Sequence, residues 1–325
     1  MLNIDWNIEF KTNGSRYRLA LLAECSITKS VNNLSDTAVI TLPESIMNEP
    51  LNLENKIRRG SEVIIEFGYD GNLYPEFKGY VRDIVNVDSS IKIMCEDALF
   101  LFRKSIGDKQ FKQAKITSVA QYLLSEIDPS FGLECDYGIK YDKFTIHKAT
   151  GLDVLKKLQQ ETKASIYFDT EKKILHIHPP YKKVGKKVYY SMQKNIESSS
   201  LEFKNRYDTK FEIEVEGTDS KGNTYKFSEG VTGGNKIHLN LGTIDPSSMR
   251  EIAKNELQKY SAPGYEGSFT TWLIPRVEPT DSIRIKDEDY PEKTAWYYCV
   301  SVTTTISSSG GVREVKPGIR LSSNG

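Results

Sequence analysis

The sequence predicts a mainly β protein with an α+β unit interposed between two strand-rich stretches, and three observations carry that prediction. Apolar and polar residues alternate through Glu62–Tyr69 and again through Lys210–Glu216, the period of two of a half-buried antiparallel strand. Turn-forming clusters, Asp70-Gly71-Asn72 and 219–223, follow those runs at hairpin spacing. Between the two stretches, Ile116, Val119, Ala120, Leu123, Leu124 and Ile127 recur at helical spacing, as do Leu152, Leu155 and Leu158.

The stretch 62–103 organises the first part. Val63, Ile65, Phe67 and Tyr69 share one face of a strand, and Asp70-Gly71-Asn72 returns the chain into 73–85, where Phe77, Val81 and Val85 continue the alternation. Asp88-Ser89-Ser90 turns it a second time, Ile91, Ile93 and Cys95 form a third inward row, and Asp97 caps a short helix, ALFLFR. The unit is a three-stranded meander closed by a helix. Upstream, Ile8 and Phe10 alternate, 17–28 is rich in β formers, and 36–43 is a strand stopped by Pro43; 45–59 reads as a loop or short helix.

In the middle third, a helix capped at Thr117 or a neighbour ends at Asp128-Pro129, a strand spans 144–147, and a second helix starts after Thr150-Gly151. A hairpin follows, 164–168 with Ile174–His178, so the region 104–199 is a small α+β unit. From residue 200 strands return: Phe211, Ile213 and Val215, then Tyr225 and Phe227, then Ile237, Leu239 and Leu241. A third helix over 247–260 and strands at 264–272, 281–286, 296–306 and 312–315 complete the chain.

The hairpin ending in Phe77-Lys78-Gly79-Tyr80-Val81, the third strand, and Cys95-Glu96-Asp97 running into an apolar helix together resemble the baseplate hub family of contractile phage tails. That family includes the late control D proteins and the amino-terminal hub part of type VI secretion spikes. Ser26 to Pro43, with SDTAVITLPE, is similar to the closing strand of that family's first barrel. TGLDVLKKLQQETKASIYFDTEKKILHIHPP looks like its α/β insertion. The helix, Tyr265-x-Gly267-Ser268 strand, Asp281 strand, aromatic strand and Gly310-Gly311 hairpin resemble its second barrel. Two departures stand out: Thr280 occupies the place of a glycine before Asp281, and Leu273-Ile274-Pro275 replaces a glycine-proline. The resemblance implies two antiparallel β-barrel domains of hub or tail-tube type, 1–103 and 200–325, flanking the insertion 104–199, with Val63 to Tyr69 and Phe269 to Trp272 organising the two barrels. It further implies a homotrimeric adaptor between a hexameric tail tube protein and a trimeric central spike protein. Other baseplate proteins would be neighbours, and nucleic acid would meet the protein only in transit through a channel. The implied location is the virion tail baseplate or a phage-like particle, assembled in the bacterial host cytoplasm.

Composition agrees with a globular role. The 325 residues carry 44 Lys and Arg against 44 Asp and Glu, so no net charge recruits a polyanion. No apolar run approaches the roughly 18 residues of a membrane span, and the start, MLNIDW, lacks a secretory pattern. Cys25, Cys95, Cys135 and Cys299 stand singly and read as reduced core thiols.

No catalytic, cofactor-binding or metal-binding residue is assigned, and a non-enzymatic protein is expected. His176 and His178 share a strand face as two metal ligands do, but spacing supplies no third. Glu96-Asp97 point to opposite faces, and capping accounts for Asp97. Gly230 to Lys236 has the wrong spacing for a phosphate loop and has Ile237 where Ser or Thr belongs. Lys172-Lys173, Lys182-Lys183 and Lys186-Lys187, interleaved with Tyr181, Tyr189 and Tyr190, read as a solvated hairpin rather than a nucleic-acid track. The alternative function is a monomeric carbohydrate- or surface-binding β protein using Tyr189, Tyr190, Tyr297 and Tyr298, half of which strand alternation buries.

Overall fold

The computed structural model describes residues 3–43, 45–46, 49–50, 56–87, 90–206, 209–219 and 221–322. Its first part is an antiparallel run of strands: β1 (Ile4–Thr12), β2 (Ser15–Arg18), β3 (Glu24–Ser30), β4 (Thr37–Pro43), the short pair β5 (Ser45–Ile46) and β6 (Glu49–Pro50), then β7 (Glu62–Tyr69), β8 (Asn72–Val87) and β9 (Ser90–Glu96). The meander β7-β8-β9 forms as the alternation requires, with Val63, Ile65, Phe67, Ile91, Ile93 and Cys95 buried in one core. Asp70 and Gly71 take positive φ, 50° and 79°, in the tight turn between the paired Tyr69 and Asn72. The expected turn at Asp88-Ser89 lies outside the described residues, as does much of 45–59. One expectation fails: Val85 is exposed. A β-bulge lies between Val81 and Asp83, and its extra residue, Arg82, shifts the alternation so that Ile84 packs inward. At Gly79 a Cβ would lie 2.3 Å from the Glu96 carbonyl oxygen, so only glycine lets these strands approach. Asp97 caps the 3-10 turn Ala98–Arg103, accepting from Leu99 N at 2.9 Å.

The middle unit contains β10 (Lys109–Lys115), α1 (Ile116–Ile127), β11 (Gly132–Cys135), β12 (Lys140–Ile146), α2 (Gly151–Thr162), β13 (Ser165–Asp169) and β14 (Ile174–His178). Thr117 does not cap α1; Lys115 stands at the N-cap with no side-chain bond, because β10 runs straight into the helix. Thr150 caps α2 in a reciprocal box with Asp153. Leu155 and Leu158 are fully buried and Leu152 nearly so. β14 sits between β11, parallel, and β13, antiparallel.

The remainder comprises β15 (Lys187–Ser191), β16 (Ser198–Ser199), β17 (Glu202–Lys204), β18 (Phe211–Thr218), β19 (Thr224–Gly230), β20 (Asn235–Asn240), α3 (Pro246–Ser261), β21 (Gly264–Glu266), β22 (Phe269–Trp272), β23 (Ser282–Lys286), β24 (Ala295–Ser307) and β25 (Gly310–Ser322). α3, capped by Asp245, packs on β18 and β19. Ile213, Val215, Met249, Ile252 and Ala253 join the core of the middle unit. β15 runs parallel to β23.

The strands do not close into two barrels. β3 pairs with β4 along one edge and with β24 along the other, from Glu24↔Ser307 to Ser30↔Ser301. The edge that closure of the first part on itself would need is therefore given to the last part. The result is one 15-stranded sheet whose main path runs β16-β22-β25-β24-β3-β4-β9-β8-β7-β1-β2, open at both ends.

Candidate assembly surface

The β3–β24 junction is reinforced below the strands by a buried ion-pair cluster. Arg313 lies on β25 between Val312 and Val315, and strand alternation points its side chain inward, where it is 2% exposed. Its guanidinium makes two bonds to the Glu76 carboxylate on β8, at 2.6 and 3.0 Å. Two further bonds go to the Leu273 carbonyl at 2.8 Å and to Thr304 Oγ1 at 2.7 Å. Glu76, also 2% exposed, is bonded by Arg276 at 3.2 Å as well. Arg276 in turn approaches Glu278 at 3.4 Å, and Glu278 receives Lys29 of β3 at 2.7 Å. Burial alone would raise the Glu278 carboxyl, but Lys29, Arg276 and Arg313 hold it below its usual range. Both carboxylates of this group, Glu76 and Glu278, are paired with cations.

A cleft of about 390 Å³ opens beside the cluster, walled by β3, β8, the 276–280 segment and β13 of the middle unit. Asp36 and Asp97 face it, and burial pushes both carboxyls up, Asp36 to about 7. Glu96 does not join them as an acid pair, because Arg103 holds both of its oxygens at 2.6 and 2.7 Å. Asp97 is a cap, as its position implies.

Around the same seam the outer surface is apolar. Trp272 and Val312 are register partners on β22 and β25, exposed by 51% and 38%. Ile274, two residues on, is also exposed, while Leu273 between them enters the core of the first part and donates its N–H to the Tyr69 hydroxyl at 3.4 Å. Exposed Tyr74 carries the Arg276 guanidinium over its ring at 5.4 Å. Among the described residues, β2, β15 and β16 each pair with one strand only, and the apolar strip lies exposed beside the seam.

Other residues singled out by sequence fall elsewhere. Tyr190, Tyr297 and Tyr298 are buried and only Tyr189 is exposed, at 59%, so a four-tyrosine sugar platform does not form. Tyr298 escapes the expected alternation because it packs on a second small core with Val31, Val300 and Ile319. The lysine pairs are dispersed: Lys172 bonds Asp169, Lys173 lies near Asp128, Lys183 bonds Glu134, and Lys187 covers the Trp296 ring. In the Gly230–Lys236 stretch, Gly233 N–H donates to Glu212 and Lys236 pairs with Glu214, as in a connection between strands. His176 and His178 do gain a third neighbour that spacing could not supply. Glu134 on β11 brings a carboxylate oxygen to the two ring nitrogens, and the three donor atoms lie within 4.8 Å of one another. Burial lowers the His176 imidazolium, against the raising influence of Glu134. Among the described residues, no helix is long and apolar enough to cross a membrane.

The mainly β fold, with its 15-stranded sheet and attached α+β unit, is similar to the folds of solved phage tail proteins. The chain is similar to a tail protein from Neisseria meningitidis MC58 (TM-score 0.66, 13% identity, covering 97% of this chain and 96% of that one). It is similar also to the 43 kDa tail protein of prophage MuSo2 from Shewanella oneidensis (TM-score 0.64, 17% identity, 96% and 98%). A further likeness is to an E. coli component of the type VI secretion system (TM-score 0.60, 11% identity, 97% and 79%), itself reported as structurally similar to bacteriophage T4 tail proteins. No protein-family model matches the sequence, and no curated protein matches it.

Proposed function

We propose that this chain is a structural baseplate hub of a phage tail or a phage-like contractile injection machine. Three copies close into a ring that joins a hexameric tail tube to a trimeric central spike. The observation that carries the reading is the end-to-end likeness to tail proteins, 97% of this chain against 96% of the Neisseria protein. The domain division 1–103, 104–199 and 200–325 belongs to this reading, with strands 211–240 and helix 246–261 sharing their core with the middle unit.

The mechanism is symmetry adaptation: two strand-rich parts in one chain let a threefold spike meet a sixfold tube through matched surfaces. Contacts between copies come from the Trp272–Ile274–Val312 strip and from strand pairing at the open edges. Other baseplate proteins flank the ring, nucleic acid crosses only its channel, and the part played is structural rather than enzymatic. The particle is built in the host cytoplasm and the hub resides in its baseplate.

Light scattering across a concentration series tests this. The expected mass is three times the 36.9 kDa chain, at least at high concentration, and Trp272→Lys shifts it to one chain with no loss of thermal stability. A strict monomer at every concentration, also in the presence of tube and spike proteins, would refute the hub reading.

A further inference from the structure

We propose that Glu134, His176 and His178 form a binding site for one zinc-class divalent cation on the middle unit. Two strand pairings build it. His176 and His178 are alternate residues of β14 and so share a face, and the parallel register sets Glu134 of β11 directly beside His176. On the other side, Tyr167 of β13 is the register partner of His176 and stacks on its ring at 4.8 Å and 11°. The imidazole is thereby held flat, with Nδ1 turned toward the other two donors.

Two of the three donor spacings match the edges of a coordination shell, and all three donor atoms lie within 4.8 Å of one another. His176 Nδ1 lies 3.3 Å from Glu134 Oε2 and 3.4 Å from His178 Nε2. With zinc bonds of about 2.0–2.1 Å, a tetrahedral site has ligand-to-ligand edges of about 3.3–3.4 Å. The 3.4 Å gap between the imidazole nitrogens is longer than the roughly 2.7–3.2 Å of an ordinary N–H hydrogen bond. The two nitrogens thus stand at the outer limit of a hydrogen bond and at the spacing of two ligands of one zinc ion.

The outer partners fit as well. Asp136 Oδ1 lies 2.6 Å from His178 Nδ1. A proton on Nδ1 donated to that carboxylate leaves the Nε2 lone pair facing the site, the carboxylate–histidine arrangement that orients metal ligands. His178 is 1% exposed, so its orientation is fixed by packing. Lys183 bonds the other oxygen of Glu134, Oε1, leaving Oε2 to the site. Its ammonium neutralises the carboxylate and repels an incoming cation, so it sets an upper limit on affinity. With three protein donors, water takes the fourth position. Two imidazoles and one carboxylate favour zinc, nickel or copper over magnesium, which takes oxygen ligands.

The full chain, stripped with EDTA and dialysed, is titrated with zinc chloride by calorimetry and by competition with a chromophoric chelator. The expected result is one saturable zinc ion per chain and none for magnesium. His178→Gln and Glu134→Gln should each weaken zinc at least about tenfold, as should the orienting change Asp136→Asn. Lys183→Met, which leaves all three donors in place, should tighten it severalfold, and this variant keeps the test alive if a ligand substitution unfolds the unit. No saturable zinc binding by the wild type would overturn the proposal. So would binding that His178→Gln and Lys183→Met both leave unchanged, since exposed His147 or His238 would then be the binder.

Discussion

Replacing Glu76 by Gln tests whether the seam is held from within. The change keeps the shape of the side chain but removes the charge that Arg313 contacts through two bonds and Arg276 through a third. With Arg313 2% exposed, its guanidinium would be left buried without its carboxylate, a loss of about 3–5 kcal/mol in comparable cases. Glu278 stands near enough to both arginines to compensate in part, which puts the expected cost near the lower end, ~3 kcal/mol. An unfolding entropy of about 2.1 cal/mol/K per residue makes roughly 0.7 kcal/mol/K for this length, so the melting temperature should fall by about 4–5 °C. Urea denaturation followed by circular dichroism reads the same loss as a lower midpoint at unchanged slope. The double variant Glu76→Leu with Arg313→Met removes both charges and should recover part of the loss, limited by the Leu273 carbonyl and Thr304 hydroxyl left without their donor. A cost below about 1 kcal/mol for Glu76→Gln would mean the guanidinium is effectively solvated, and the account of the seam as a desolvated staple would fall.

Two further predictions rest on the same region. Thr280 holds φ at +80°, a conformation costing a β-branched residue about 1–2 kcal/mol, so Thr280→Gly should stabilise the protein by about 1 kcal/mol after glycine's greater unfolded entropy is counted. A neutral or negative result in urea unfolding would show that the threonine is not strained there. Burial pushes the Asp36 carboxyl to about 7, above its ordinary value of about 3.9, so the folded chain binds the proton more tightly than the unfolded one. Stability should therefore fall as pH rises from about 4 to 7 and level off above, and Asp36→Asn should remove roughly 2–3 kcal/mol of that fall between pH 5 and 8. Parallel profiles for the two proteins would sink the assignment.

What could be read from the sequence was whatever local alternation and turn chemistry determine. Val63, Ile65 and Phe67 declare a strand face and Asp97 a cap, and each is found so. The bulge at Arg82 was invisible because Val81 and Val85 are both apolar and fit either register. Glu134 could not be joined to His176 and His178 because parallel pairing of β11 with β14 carries no local signal. The open sheet was missed for the same reason, since β3 and β24 meet across more than two hundred and fifty intervening residues. Arg313 did leave a trace: an arginine in phase with Val315 on an alternating strand points inward and calls for a buried carboxylate. Which carboxylate answers, only the fold decides.

That pairing bears on the hub reading. In a ring whose three chains present a pseudo-sixfold face, the angle between the two parts of one chain must match the angle between parts of neighbouring chains. An articulated joint would spread those angles and lose the match to a hexameric tube. A seven-pair ladder between β3 and β24, with Ser26–Thr305 and Thr28–Thr303 hydroxyl contacts on it and the Glu76–Arg313 pair beneath, leaves little room for hinge motion. In the proposed ring, the junction between copies would lack that intrachain ladder and would have to obtain the same angle from surface alone. Under the hub reading, the exposed apolar strip at the seam and the strand edges left open rather than closed into barrels would supply that surface.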